Sequence, residues 1–139
     1  MRVKRLNSNK EVLIRVNKYL INWGNSGDSG LERQFRDLIY PYWKGQIILF
    51  QCPVIGTLLR IDFVNCNKRL AIEIDGPQHE SYNKYMHGNR AGYLSSIKRD
   101  IFKERFCEQN NIKLLRLKQY DLDNFSPKYI LETFGVNII

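Results

Sequence analysis

Apolar positions along this chain change spacing from segment to segment, and the spacing assigns the elements. QIILFQ (46–51), LLRIDFV (58–64), RLAIEID (69–75) and IKLLRLK (112–118) are short runs rich in branched side chains with near-alternation, which predicts four strands. Helical spacing fills the rest. Ser8 and Glu11 have capping-box spacing, and Val12, Val16, Tyr19 and Leu20 recur as on one helical face, which predicts a helix to about residue 23. The run GNSGDSG breaks it, and Ser29 caps LERQFRDLIYPYW, whose Leu31, Phe35, Leu38 and Ile39 form one stripe until Pro41 ends or bends the helix. LSSIKRDIFKERFCEQN reads as a helix with Ile97, Ile101 and Phe102 or Phe106 inward. SPKYILETFG reads as a closing helix with Ser126 as cap and Pro127 at its first position.

This order predicts an α/β fold with a mixed central sheet flanked by helices, in the sequence αβββαβ. It fits one domain over residues 1–139: an N-terminal helix and linker (1–28), a core (29–120) and a C-terminal helix (121–139). No repeat or low-complexity tract interrupts it.

The second and third strands carry acids where strands seldom do. Asp62 lies between Ile61 and Phe63, while Glu73 and Asp75 alternate with Leu70, Ile72 and Ile74, so each strand has an oily and an acidic face. With the turn centred on Cys66 and Asn67, Asp62 falls across from Ala71 and diagonal to Glu73, and Ile61 meets Ile72. All three acids then share one face, and Ala71 leaves room beside them. Carboxylates among branched apolar residues are costly unless paired or bound to a cation. Diagonal neighbours about 7–8 Å apart suit a hard divalent ion with oxygen ligands. The competing reading is a solvated sheet face whose acids pair with Arg60, Lys68 or Arg69.

An Asp on one strand, then an acid two residues before a Lys position on the next, resembles the PD-(D/E)XK nuclease superfamily. The longer string IDF…LAIEIDGPQH, followed by KRDIFK…NNIKLLRL, resembles its branch of very short patch repair-like and small phage homing endonucleases. The resemblance covers about residues 29–120 and implies a restriction-endonuclease-like core. It implies Asp62 and Glu73 as principal metal ligands, with Asp75 and Glu32 assisting, and Asp100 as a further acidic position. Ile61 stands where the family has Pro, and Asp75 where it has the lysine. A basic or amide group from elsewhere must take that role, and Gln78, His79, Lys98 and Lys103 are the candidates.

Elementary chemistry gives these groups the same work. Phosphodiester hydrolysis needs an activated water, neutralisation of charge at phosphorus and a stabilised leaving oxygen, which Mg²⁺, with Mn²⁺ as a substitute, can supply when carboxylates hold it. Lys or an amide would stabilise developing charge, and His79 would serve as base or phosphate partner. Asp75-Gly76-Pro77 ends its strand abruptly and sets the site at a strand terminus.

Composition narrows the partner. With 22 basic against 14 acidic residues the chain carries +8, which suits a polyanion such as double-stranded DNA, although ribosomal and membrane-surface proteins share such a balance. Residues 77–99 interleave aromatic and basic side chains, and Tyr82, Lys84, Tyr85, Arg90 and Arg99 are the expected nucleic-acid contacts. No apolar run is long enough to span a membrane, and MRVKRLNSNK lacks the apolar core of a signal peptide, so a cytoplasmic setting is expected, in a bacterial or phage-infected cell. Three cysteines without paired spacing fit reduced thiols with no metal role.

The expectation is a Mg²⁺-dependent endodeoxyribonuclease of homing or nicking type, with a homodimer as the simplest arrangement for cutting both strands. A Holliday-junction resolvase or repair nickase of the same fold, and an inactive nucleic-acid-binding accessory module, are the alternatives.

Overall fold

A computed structural model describes residues 1–24, 30–76 and 90–139. It begins not with the expected helix but with a hairpin, β1 (Arg2–Lys4) against antiparallel β2 (Glu11–Leu13). Only α1 (Val16–Tyr19) is helical in the segment read as a helix from Ser8 to residue 23. Local chemistry that suggested a cap serves a turn instead. Asn7 adopts φ 56°, and Ser8 Oγ accepts from the Lys10 N–H at 3.0 Å. Glu11 pairs across the hairpin with Arg2 at 3.3 Å. Tertiary contacts decide the outcome: the Asn110 side chain accepts from Lys4 N at 2.6 Å and donates to Lys4 O at 3.1 Å, clamping the hairpin to the body.

Beyond it come α2 (Gly30–Trp43), β3 (Ile48–Pro53), β4 (Arg60–Asn65), β5 (Leu70–Ile74), α3 (Arg90–Gln109), β6 (Lys113–Leu117), α4 (Gln119–Asp123) and α5 (Pro127–Phe134). The four long strands form one mixed sheet in the order β3-β4-β5-β6, antiparallel except for the parallel β5/β6 pair. The expected α/β class is thus observed, with five helices among the described residues. Ser126 caps α5 through its hydroxyl and Pro127 opens it, as the sequence indicates. Pro41 does not stop α2, because it lies in the final turn, where the N–H it lacks removes a single bond.

Apolar side chains cover both faces of the sheet. One cluster joins Phe35, Ile39 and Trp43 of α2 to Ile48, Phe63, Ile72, Leu115, Leu117 and Ile130. The other joins Leu49, Cys52, Ile61, Val64 and Ala71 to Val3 and Ile14 of the N-terminal segment and to Phe106 and Cys107 of α3. Hence β5 has no purely acidic face; Ala71, on the same side as Glu73, is itself core. No helix among the described residues is long and apolar enough to cross a membrane.

Helix α3 also departs from its expected orientation. Phe106 and Cys107 are its buried residues, while Ile97 and Ile101 are exposed. Twenty residues of helix run about 30 Å, whereas a five-residue strand runs about 17 Å. The N-terminal half therefore extends past the sheet that its apolar side chains would have needed.

Candidate functional site

The turn between β4 and β5 sets which acids meet. Asn65 Oδ1 accepts from the Lys68 N–H at 3.0 Å and Arg69 takes φ 50°, so the turn centres on Asn67 and Lys68. Register is then Phe63↔Ile72 and Val64↔Ala71. This is two residues from the expected pairing of Asp62 with Ala71 and of Ile61 with Ile72. A slip of two preserves the face. Continued one step past the last pair, this register sets Asp62 opposite Glu73 rather than diagonal to it, while Val64 takes the place beside Ala71.

Asp62 also sits at a twist that the alternation did not foresee. Phe63 and Phe50 belong to the α2 cluster, but Ile61 and Cys52, paired just beyond, belong to the α3 cluster. Ile61 and Phe63 thus pack on opposite sides of the sheet. Between these pairs Gln51 faces Asp62, and Gln51 has φ 54°, a left-handed conformation that costs a non-glycine residue on the order of 1–3 kcal/mol. From there its amide Nε2 reaches Asp62 Oδ1 at 3.4 Å and Glu32 Oε1 at 3.5 Å. Both contacts are long, and together they link the first turn of α2 to β4. Asp62 is fixed more firmly by Oδ2, which accepts from the Ile74 N–H at 2.8 Å.

Glu73 is only 5% exposed. Burial, and then the neighbouring Asp62 carboxylate with which it makes a side-chain hydrogen bond, push its pKa up to about 8; Lys103 acts the other way. The Lys103 ammonium lies 2.7 Å from Glu73 Oε1. At that distance the ammonium is a charge-assisted partner of the carboxyl. Burial and the neighbouring Asp62 charge together favour the protonated form of Glu73.

Asp75 follows β5 and is 9% exposed, with its N–H bonded to Leu117 O at 2.8 Å. Asp62 and Glu73 are thus together, Glu32 is joined to them through Gln51, and Lys103 comes from α3. Lys98 does not join them: exposed on α3, it places its ammonium 5.6 Å from the Phe102 ring centroid. Asp100 pairs with Arg116 at 3.3 Å. Arg90 and Arg99 are exposed on α3, and Arg99 Nη2 donates to Ser96 Oγ at 3.2 Å. Gln78, His79, Tyr82, Lys84 and Tyr85 lie outside the described residues, as does Ser29.

Among the described residues, no three His, Cys, Asp or Glu side chains gather as a metal-binding group. Mg²⁺ does not require three, since it commonly takes one or two carboxylates and fills its octahedron with water and substrate phosphate. Two adjoining carboxyls that repel when ionised fit such an ion.

Two residues here escaped sequence reasoning. In the sequence Gln51 is only the polar residue that closes the strand QIILFQ. Arg116 in LLRL was noticed as part of a motif, yet nothing local showed that it stands in register with Glu73.

Comparison with known proteins places the chain beside two proteins of iridescent viruses. It is 31% identical over 87 residues to "Uncharacterized protein 033L" of Invertebrate iridescent virus 3, covering 63% of this chain and 43% of that protein. It is 30% identical over 59 residues to "Uncharacterized protein 307L" of Invertebrate iridescent virus 6, covering 42% of this chain and 30% of that protein. The chain thus spans less than half the length of either relative. No protein-family model matches it, and no solved structure matches it significantly.

Proposed function

We propose that this protein is a divalent-cation-dependent DNA endonuclease of the PD-(D/E)XK type, with a restriction-endonuclease-like core from α2 to β6. The observation that carries the reading is the Asp62 and Glu73 pair on adjoining strands, with Lys103 2.7 Å from Glu73. The motif lysine, replaced by Asp75, is supplied from α3 by Lys103. The order of one helix, three strands, a helix and a parallel fourth strand supports the same reading.

Asp62 and Glu73 would hold Mg²⁺, or Mn²⁺ in its place, which when bound supplies charge neutralisation at the phosphate and activation of a water. The chain's own residues do the rest. The Ile74 N–H keeps the Asp62 carboxylate aimed, and Gln51 restrains its other oxygen. Glu32, through Gln51, stands by as an acceptor for an ordered water. Lys103 Nζ would move from Glu73 toward the phosphate as negative charge develops, a preorganised donor that needs no proton transfer. Arg90 and Arg99 on the overhanging half of α3 provide exposed positive charge for the DNA backbone, and a homodimer is the simplest way to cut both strands. A mobile-element role of homing or nicking type is the reading that the sequence resemblance favours.

The test is cleavage of supercoiled plasmid and linear duplex in Mg²⁺, Mn²⁺ or EDTA by wild type, Asp62→Ala, Glu73→Ala and Lys103→Met at matched folding. Metal-dependent nicking or linearisation abolished by both acid substitutions and strongly reduced by Lys103→Met is expected. DNA binding without cleavage, unaltered by any of the three, would replace this reading with that of an accessory binding module. Preference for four-way junctions over linear duplex would make it a resolvase.

A further inference from the structure

Arg116 makes a threefold contact with α3. It stands on β6 as the register partner of Glu73 on parallel β5. Its Nη1 lies 3.3 Å from Asp100 Oδ1, its Nη2 lies 3.4 Å from Glu104 Oε1, and Nη2 also donates to the Asp100 main-chain oxygen at 2.9 Å. Asp100 and Glu104 are one helical turn apart on α3, and Lys103 lies between them in sequence. The guanidinium is a planar fork that can hold such a set of acceptors in one orientation, which an ammonium cannot.

The position of this contact along α3 gives it weight. Toward the C-terminus, Phe106 and Cys107 are buried against the sheet, while toward the N-terminus Leu94, Ile97 and Ile101 are all exposed. Asp100 and Glu104 therefore tie to the sheet the turn that lies between these two parts of α3. Lys103 is on that turn, with a side chain only 17% exposed and its ammonium on Glu73.

We propose that Arg116 is a positioning residue: by gripping α3 on either side of Lys103 it holds the Lys103 ammonium at the Asp62 and Glu73 carboxyl pair. Its consequence for catalysis rests on the nuclease reading given above. The placement of Lys103 itself does not. Without the grip, the turn of α3 that carries Lys103 loses its ion pairs to β6, and Lys103 leaves Glu73 for solvent. Lysine at position 116 restores charge but not the fork, so it recovers part of the effect.

The experiment compares full-length wild type, Arg116→Met, Arg116→Lys and the double variant Asp100→Asn/Glu104→Gln, with two readouts. The first is acetylation of each lysine by a limiting amine-reactive ester, followed peptide by peptide by mass spectrometry. Lys103 is expected to be protected in wild type, to react several-fold faster in Arg116→Met and in the double variant, and to be intermediate in Arg116→Lys, while Lys98 stays constant as internal reference. The second is Mg²⁺-dependent plasmid nicking, where kcat is expected to fall about 10- to 100-fold with KM little changed, the usual cost of losing a supporting contact. Unchanged protection of Lys103 in Arg116→Met, or in the double variant should Arg116→Met fail to fold, overturns the proposal. Raised labelling with no nicking by wild type leaves the positioning intact and removes the nuclease reading. Raised labelling with wild-type nicking rates overturns the catalytic part of the proposal.

Discussion

The Asp62 and Glu73 pair has a direct consequence for stability against pH. In the unfolded chain Glu73 titrates at its ordinary 4.5, whereas burial and the Asp62 carboxylate carry it to about 8 in the folded protein. Between those values the folded state holds a proton that the unfolded state has given up. The stabilisation is thus fully present below pH 4.5 and is lost as pH rises through about 8. One such proton is worth at most about 1.4 kcal/mol per pH unit, so the ceiling over the whole window is about 5 kcal/mol. Relaxation and water entry around Lys103 will lower the observed value. Glu73→Gln removes the titration while keeping shape. It also leaves Lys103 without its carboxylate, an offset that does not vary with pH while the lysine stays charged. The measurement is urea unfolding of wild type and Glu73→Gln in EDTA from pH 5 to pH 9, reading the difference between the two. That difference should move in favour of Glu73→Gln by up to about 1.4 kcal/mol per pH unit and level off above pH 8. Mg²⁺ should reverse the trend for wild type alone, because a cation binds the ionised pair. A difference that is flat with pH would refute the raised pKa of Glu73.

Other substitutions probe the supports of the site. Gln51→Gly should leave stability within about 1 kcal/mol of wild type, since relief of the left-handed φ offsets the lost amide contacts, yet it should lower the cleavage rate; calorimetry and plasmid nicking together check this, and unaltered cleavage would remove Gln51 from the site. Asn110→Ala should cost about 1–3 kcal/mol in urea unfolding, because the part-buried Lys4 N–H and carbonyl lose the side chain that bonds both. Burial pushes the Cys52 and Cys107 thiols up to about 12, while half-buried Cys66 is raised less. A thiol reagent at pH 8 should therefore modify Cys66 first and the others only on unfolding; equal rates for all three would contradict that order.

Hydrophobic spacing and local capping chemistry determined the sheet strands, helices α2, α3 and α5, the cap of α5 and the acids worth attention, while the short α4 had no such signal. A slip of two in the β4/β5 hairpin left Asp62 and Glu73 on the same face, so the pair survived an imperfect register. What the sequence could not determine were relations between segments that touch only after folding. The hairpin at residues 2–13 wins over a helix because Asn110, more than ninety residues away, bonds its backbone. The reversal of faces at Asp62 depends on the backbone of Gln51 on the neighbouring strand. The choice of Lys103 over Lys98 was decided by where α3 lies on the sheet, and that placement follows from Phe106, Cys107 and Arg116. Periodicity reports which way a side chain faces along its own element; which partner it meets is fixed by packing, where burial turns an acidic strand residue into a coupled carboxyl pair.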